Sequence, residues 1–410
     1  MAVITALDAD RLIDADAYHR HGYPWEIWAR LRREAPLSRM VTSSGEAYWA
    51  VTRYKDLIDI ERNAAVFLNE PRMVMDASQG EIPIRMIVNM DPPDHGAYRK
   101  LVNARFMPRN IAAVQDFVDE VVNRTLDHAM ALGDQVFDLQ EVLCNPVPTA
   151  VISRFLGVSD DLAPSIHDWT NQSLYPGDPE IARGRPPEQV RTEAIQAMFA
   201  VYRDLFEERR AAPRDDLLTD LLNSRINDAP MPDIELYSWC YILTLAGHET
   251  TQSTFGAAIH TFMQHPDQLA LLRADPDLIP GAIEEVLRYV SPAIHFCRTA
   301  RHDVEINGQT IPAGEPLVLF YPSANHDDAA FERPDEFDIT RTSNRHVAFG
   351  SGPHQCLGMH LARLELRIML TRFLERVESV EPAGTPTAVH SCVVGGFRKY
   401  PVRMKVRPRA

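Results

Sequence analysis

From about residue 112 to residue 272, nearly every long segment carries its apolar residues at helical spacing, as in Val114-Gln115-Asp116-Phe117-Val118-Asp119-Glu120-Val121-Val122. A pattern with period 3.6 cannot be laid down as strand, so the run commits the chain to a mostly helical body. It is interrupted at the Pro/Gly-rich stretch from Leu174 to Pro187 and again at Arg210-Ala211-Ala212-Pro213-Arg214-Asp215-Asp216. Length alone would suggest roughly two or three domains. No internal repeat, low-complexity tract or composition shift marks a linker, however, and one body over residues 1–410 is expected.

The longest apolar segment, from about Tyr237 to Met263, is predicted as a helix, yet Ala246-Gly247-His248-Glu249-Thr250-Thr251 stands in its middle. Glycine in a helix interior costs about 1 kcal/mol relative to alanine, and a buried carboxylate is tolerated only with partners. Threonine hydroxyls can bond back to a carbonyl one turn earlier and bend the helix. A locally opened helix is therefore expected here, and such distortions gather at functional sites. The alternative, a surface-facing polar patch, is opposed by the apolar flanks Ile242-Leu243-Thr244-Leu245 and Phe255-Gly256-Ala257-Ala258-Ile259.

Further on, Phe349-Gly350-Ser351-Gly352-Pro353-His354-Gln355-Cys356-Leu357-Gly358 runs into the helical pattern Leu361-Ala362-Arg363-Leu364-Glu365. The glycines allow a tight loop and Pro353 stiffens it. Cys356 falls where a helix begins, and unpaired N–H groups there favour a thiolate, as a soft ligand or a nucleophile. Gly358 keeps the first turn thin enough for a flat cofactor to lie against it. A buried structural cysteine after a Gly-rich turn is the competing reading of the same residues.

Three smaller features remain. His95 and Arg99, in Asp91-Pro92-Pro93-Asp94-His95-Gly96-Ala97-Tyr98-Arg99, are four apart and could clamp one anion together or form a solvated helix face. Glu285 and Arg288 are three apart on a predicted helix and therefore adjacent; as a surface pair they would contribute under about 1 kcal/mol. The apolar but interrupted stretch between Met73 and Val88 either packs on the core or lines a pocket. Tyr48-Trp49-Ala50-Val51-Thr52, Val304-Glu305-Ile306 turning at Asn307-Gly308, and Pro316-Leu317-Val318-Leu319-Phe320 read as strands of small sheets.

A net charge of −15 and a pI near 5.5 argue against a nucleic-acid binder. Cys144, Cys240, Cys297, Cys356 and Cys392 are odd in number, with no CxxC spacing, and do not form a disulfide framework. Acids occupy the N-terminal stretch where a signal peptide needs an apolar core, and no run of roughly 18 apolar residues exists. A cytoplasmic, soluble chain without a membrane partner is expected, and a monomer.

Taken together these motifs, in this order and over nearly the whole chain, resemble the cytochrome P450 family in its soluble bacterial form. The resemblance implies a mainly α fold with small β-sheets, and haem b (iron protoporphyrin IX) held by an axial cysteine thiolate. Cys356 would be the metal ligand. Phe349, Gly350, Gly358 and Ala246 would lie against the haem, and His95, Arg99, Arg298 and His354 would neutralise its propionates. Glu285, Arg288 and Arg341 would form a structural brace for the haem loop. Glu249 and Thr250 match the family's oxygen-activating stretch and would time the delivery of protons.

The implied reaction inserts one atom of O2 into a bound hydrophobic small molecule. Met73, Leu243, Ala246, Ala293, Ile294, Val393 and Val394, with the Leu174–Tyr175 region, would line its pocket. The run Leu319-Phe320-Tyr321-Pro322-Ser323-Ala324-Asn325-His326-Asp327-Asp328 is similar to members acting on terpenoid, steroid and alkyl-chain lipids; His326 stands where many relatives carry arginine, a departure expected to act only locally. The chain has no length for a reductase module, so electrons would come from an acidic ferredoxin docking on a basic patch of Arg99, Lys100, Arg105, Arg109, Arg345 and Arg363. The competing readings are a peroxide-using haem-thiolate enzyme and a haem-binding sensor or carrier without turnover. The Glu249-Thr250 pair opposes both.

Overall fold

A computed structural model describes residues 5–75 and 84–407. The Gly80 and Pro83 interruptions of the Met73–Val88 stretch fall outside the described residues. The helical run becomes a body built from Gln115–Ala131, Pro146–Phe155, Ala163–Leu174, Pro187–Ala211 and Asp233–Gln264, with Ile279–Val290 and Met359–Arg376 packed on its other side. The expected breaks hold: one helix ends at Leu174 and the next long one starts at Pro187, while Ala211 and Leu217 bound the second gap. Among the described residues, no helix is long and apolar enough to cross a membrane.

The Asp233–Gln264 helix, 32 residues long, forms the axis. Acidic Asp233 and Glu235 sit in its first turn, where they complement the positive end of the helix dipole. Pro266 follows its end. The hydroxyls of Ser238, Thr244, Thr250, Thr254 and Thr261 each donate to the carbonyl four residues earlier. That is how polar side chains survive in a helix buried on nearly every face. The opening expected at Ala246–Thr251 is absent as a break: the helix runs through without interruption, because the threonines find acceptors within the helix itself.

The strands gather mainly in one five-stranded sheet, in the order Leu37–Val41, Ala47–Val51, Pro316–Phe320, His295–Ala300, Phe67–Leu68. Only the second and third pair in parallel, with Trp49 opposite Leu317; the other neighbours are antiparallel. Val304–Ile306 and Gln309–Ile311 form the hairpin signalled by Asn307-Gly308, both of which take positive φ. Phe397–Lys399 and Pro401–Val406 are separate strands in different small sheets.

Candidate active site around Cys356

Of the five cysteines, four are buried and Cys356 alone has accessible surface. Its N–H donates to the Phe349 carbonyl at 2.8 Å, closing the loop on itself, and the Gly358 N–H points towards its sulfur. The following helix starts at Met359 with Gly358 as its cap, so the cysteine stands just before the helix, as its sequence predicts. Surrounding protein pushes the Cys356 thiol up, opposed by the Gly358 N–H, Arg99 and Arg363.

The loop is held from behind by Glu61, which sequence reasoning missed. Glu61 is buried at the end of the Tyr54–Arg62 helix. Its carboxylate accepts from the Ser351 N–H at 2.7 Å, the Tyr321 hydroxyl at 2.6 Å and the Arg298 guanidinium at 3.3 Å. Burial drives its pKa upward, and these three donors pull it back. Gly352, at φ +69°, passes so close that an added Cβ would meet the Glu61 carbonyl at 2.5 Å. The only hint in the sequence was that Glu61 lies four residues after Leu57, on that helix's buried face.

His95 and His354 stack with ring centroids 3.8 Å apart. Arg99 and Arg298 are close enough to both to lower their pKa values, His95 to about 4 and His354 to about 2, with burial the larger cause. Arg99 also donates to the Gln355 carbonyl, and Asn69 reaches His354 Nε2 at 2.6 Å. The four residues expected to act together are therefore brought together, with two fixed positive charges and two neutral rings. His95 Nε2 is buried with no hydrogen-bond partner.

On the central helix Ala246 is exposed although its neighbours Leu245 and His248 are buried, and Thr250, one turn on, is partly accessible. Glu249 points the other way. It is 1% exposed and accepts from Gln252 Nε2 at 2.6 Å and Ser253 Oγ at 3.4 Å. Burial raises its pKa against the pull of Tyr175, Gln252, Arg398 and Ser253. His248, also fully buried, bonds Asn145 Oδ1 at 2.6 Å and meets His167 at 3.2 Å.

Glu285 and Arg288 are not a surface pair: both are fully buried and joined by two 2.8 Å contacts. Arg341 Nε adds a third at 3.1 Å, and Arg288 also donates to the carbonyls of Asn325, Pro334 and Glu336. Asn325 Oδ1 in turn accepts from the Val347 N–H, just ahead of the cysteine loop. Arg363 lies over the Phe349 ring at 4.6 Å.

Of the expected pocket residues, Leu243, Val393 and Val394 are apolar side chains with slight accessibility, and Met73 and Ala293 are partly exposed. Ala293 bridges Val394, and the Ile294 N–H donates to the Val393 carbonyl, so these two segments form one wall. Ile294 is 0% exposed and packs in one cluster with Trp28, Phe320, Val393 and Val394. Tyr175 is buried against Glu249. The expected basic patch is not intact. Arg105 is bridged to Asp215 and Asp220, and Arg363 to Glu284 through two 2.7 Å contacts, leaving Lys100, Arg109 and Arg345 as its exposed members.

This donor set fits haem. A soft sulfur with accessible surface suits iron, and the Arg99, Arg298, His95 and His354 group suits two carboxylates. Ala246 offers a helix surface without a bulky side chain, and a Cβ at Gly358 would meet nothing within 4 Å.

A family model described as Cytochrome P450 matches residues 60–391. Linalool 8-monooxygenase of Pseudomonas putida is 33% identical over 391 residues, covering 92% of this chain and 95% of that protein. The crystal structure of CYP108D1 from Novosphingobium aromaticivorans superposes with a TM-score of 0.88 at 34% identity, covering 99% of this chain and 100% of that one. A Mycobacterium marinum cytochrome P450, CYP268A2 in complex with pseudoionone, gives 0.86 at 30% identity, covering 92% and 94%.

Proposed function

The chain belongs to the cytochrome P450 family and is an oxidoreductase with its haem-thiolate monooxygenase chemistry, and from that premise we propose that it hydroxylates a small hydrophobic molecule of terpenoid type. The observation that carries the site is the pairing of accessibilities: Cys356 alone among the cysteines, and Ala246 with Thr250 between buried neighbours in the middle of the central helix. Bound haem supplies the activation of O2 and the insertion of one oxygen atom into the substrate.

Cys356 would ligate the iron, with the Gly358 N–H, Arg99 and Arg363 favouring its ionised form. Arg99 and Arg298 would carry the charge opposite the propionates, while His95 and His354 would supply ring hydrogen bonds there. Thr250 donates its hydroxyl proton to the Ala246 carbonyl at 3.0 Å, so its oxygen is left free to accept a hydrogen bond on the accessible side. Glu249, buried on the opposite side, would have to turn towards Thr250 to resupply this hydroxyl.

The substrate class rests on the apolar side chains of Leu243, Val393 and Val394 and on two similar proteins whose names carry linalool and pseudoionone. Steroid and alkyl-chain lipids are the further candidates. Electrons would be delivered by a separate acidic ferredoxin at Lys100, Arg109 and Arg345. A spin-state titration of the ferric protein tests the substrate reading. Linalool or a related terpenoid is expected to shift the spectrum at lower concentration than a steroid or fatty acid, and the reverse order would reject it.

A further inference from the structure

Glu249 is closed off from Thr250's accessible side by its own burial, so the protons it delivers must reach it from elsewhere. An open cleft of about 700 Å³ lies between the Trp25–Glu34 helix, the C-terminal half of the central helix and the 395–396 turn. Ser253 and Gly396 both line it. Ser253 is 1% exposed, and its hydroxyl is the group that donates to Glu249 Oε1. Gly396 sits directly over that hydroxyl: an added Cβ would meet Ser253 Oγ at 2.5 Å. At φ +151° this position also favours glycine. The wall between the cleft and the buried acid is therefore one serine thick.

We propose that protons enter from this cleft through Ser253 to Glu249, which makes Ser253 a positioning residue for the monooxygenase reaction. The inference rests on the functional reading above. Ser253 gives its hydroxyl proton to Glu249 Oε1 and takes one from a water in the cleft; the hydroxide left behind is neutralised by bulk solvent. The carboxylate becomes a carboxylic acid and the serine is unchanged. The other groups around Glu249 are less suited. Gln252 has no transferable proton at neutral pH, and Arg398 stays charged. His248 Nδ1 is 3.9 Å from Glu249, beyond hydrogen-bond range, and Tyr175, whose hydroxyl also faces Glu249, does not line the cleft.

The test is the rate at which the Glu249 carboxyl band of the ferric holoenzyme deuterates after mixing with heavy water, the band being assigned by its loss in Glu249→Gln. Ser253→Ala should slow deuteration about tenfold or more and lower the fraction of NAD(P)H converted to product. Ser253→Thr, which restores a hydroxyl, should recover both, and His167→Asn should leave both unchanged. Unaltered deuteration in Ser253→Ala, or slowing in His167→Asn, would overturn the route. Unaltered coupling in Glu249→Gln would instead remove the functional reading on which the route depends.

Discussion

Glu285 grips Arg288 at two points, Oε1 to Nη2 and Oε2 to Nε, each 2.8 Å, with both side chains fully out of solvent. Breaking a buried pair of this kind from one side costs about 3–5 kcal/mol, because the remaining charge is left without a partner. Arg288→Ala should therefore yield little holoprotein. Arg288→Lys should not rescue it, since an ammonium cannot reproduce the fork or reach the carbonyls of Asn325, Pro334 and Glu336 together. Haem content per protein after purification measures this, and wild-type content in Arg288→Ala would refute the bracing role.

Thr250→Ala should keep haem and substrate binding but divert electrons to peroxide. The substitution removes the hydroxyl that bonds the Ala246 carbonyl and leaves the helix otherwise packed. A drop of roughly tenfold or more in product formed per NAD(P)H consumed is expected. Coupling equal to wild type would show that Thr250 does not handle protons.

Burial, helped by Arg288, lowers the His326 pKa to about 3 from 6.5, and burial lowers that of His167 to about 4. The unfolded chain then binds protons that the folded chain does not. The stability held by these neutral rings is complete above about pH 6.5 and drains as pH falls towards the folded values, by about 1.4 kcal/mol per group for each pH unit crossed. The thermal midpoint should fall steadily between neutral pH and about pH 4, and less steeply in His326→Phe. An equal slope in that variant would contradict the assignment.

Reduction by an acidic ferredoxin should slow as salt rises, because Lys100, Arg109 and Arg345 are exposed charges that salt screens. Arg109→Glu should slow reduction at low salt. Arg105→Gln should matter less, since Arg105 is already bridged to two aspartates. Reduction rates indifferent to ionic strength would exclude this docking surface.

What could be read in the sequence was local. Cys356 beside its glycines, Glu285 three residues before Arg288, and His95 four before Arg99 are adjacencies that loop and helix geometry impose, and each is present. What could not be read depends on partners far along the chain. Glu61 meets Arg298 across 237 positions, and Arg363 meets Glu284 across 79. Neither the loop's rear support nor the loss of a patch charge was therefore visible. Ile294 is packed inward while Ala293 keeps some exposure, because alternation along an extended segment sends one of each pair into the core. The Ala246–Thr251 helix stayed unbroken because its threonines bond within the helix, an outcome that composition alone does not distinguish from an opened one.

The central claim, that Cys356 ligates haem iron as a thiolate, is tested most directly by the absorbance of the reduced protein under carbon monoxide. The wild-type protein should give the strongly red-shifted Soret band of thiolate-ligated haem, and Cys356→His should give the shorter-wavelength band of a histidine-ligated haem. A shorter-wavelength band in freshly reduced, folded wild-type protein, or a red-shifted band that survives in Cys356→His, would contradict the account.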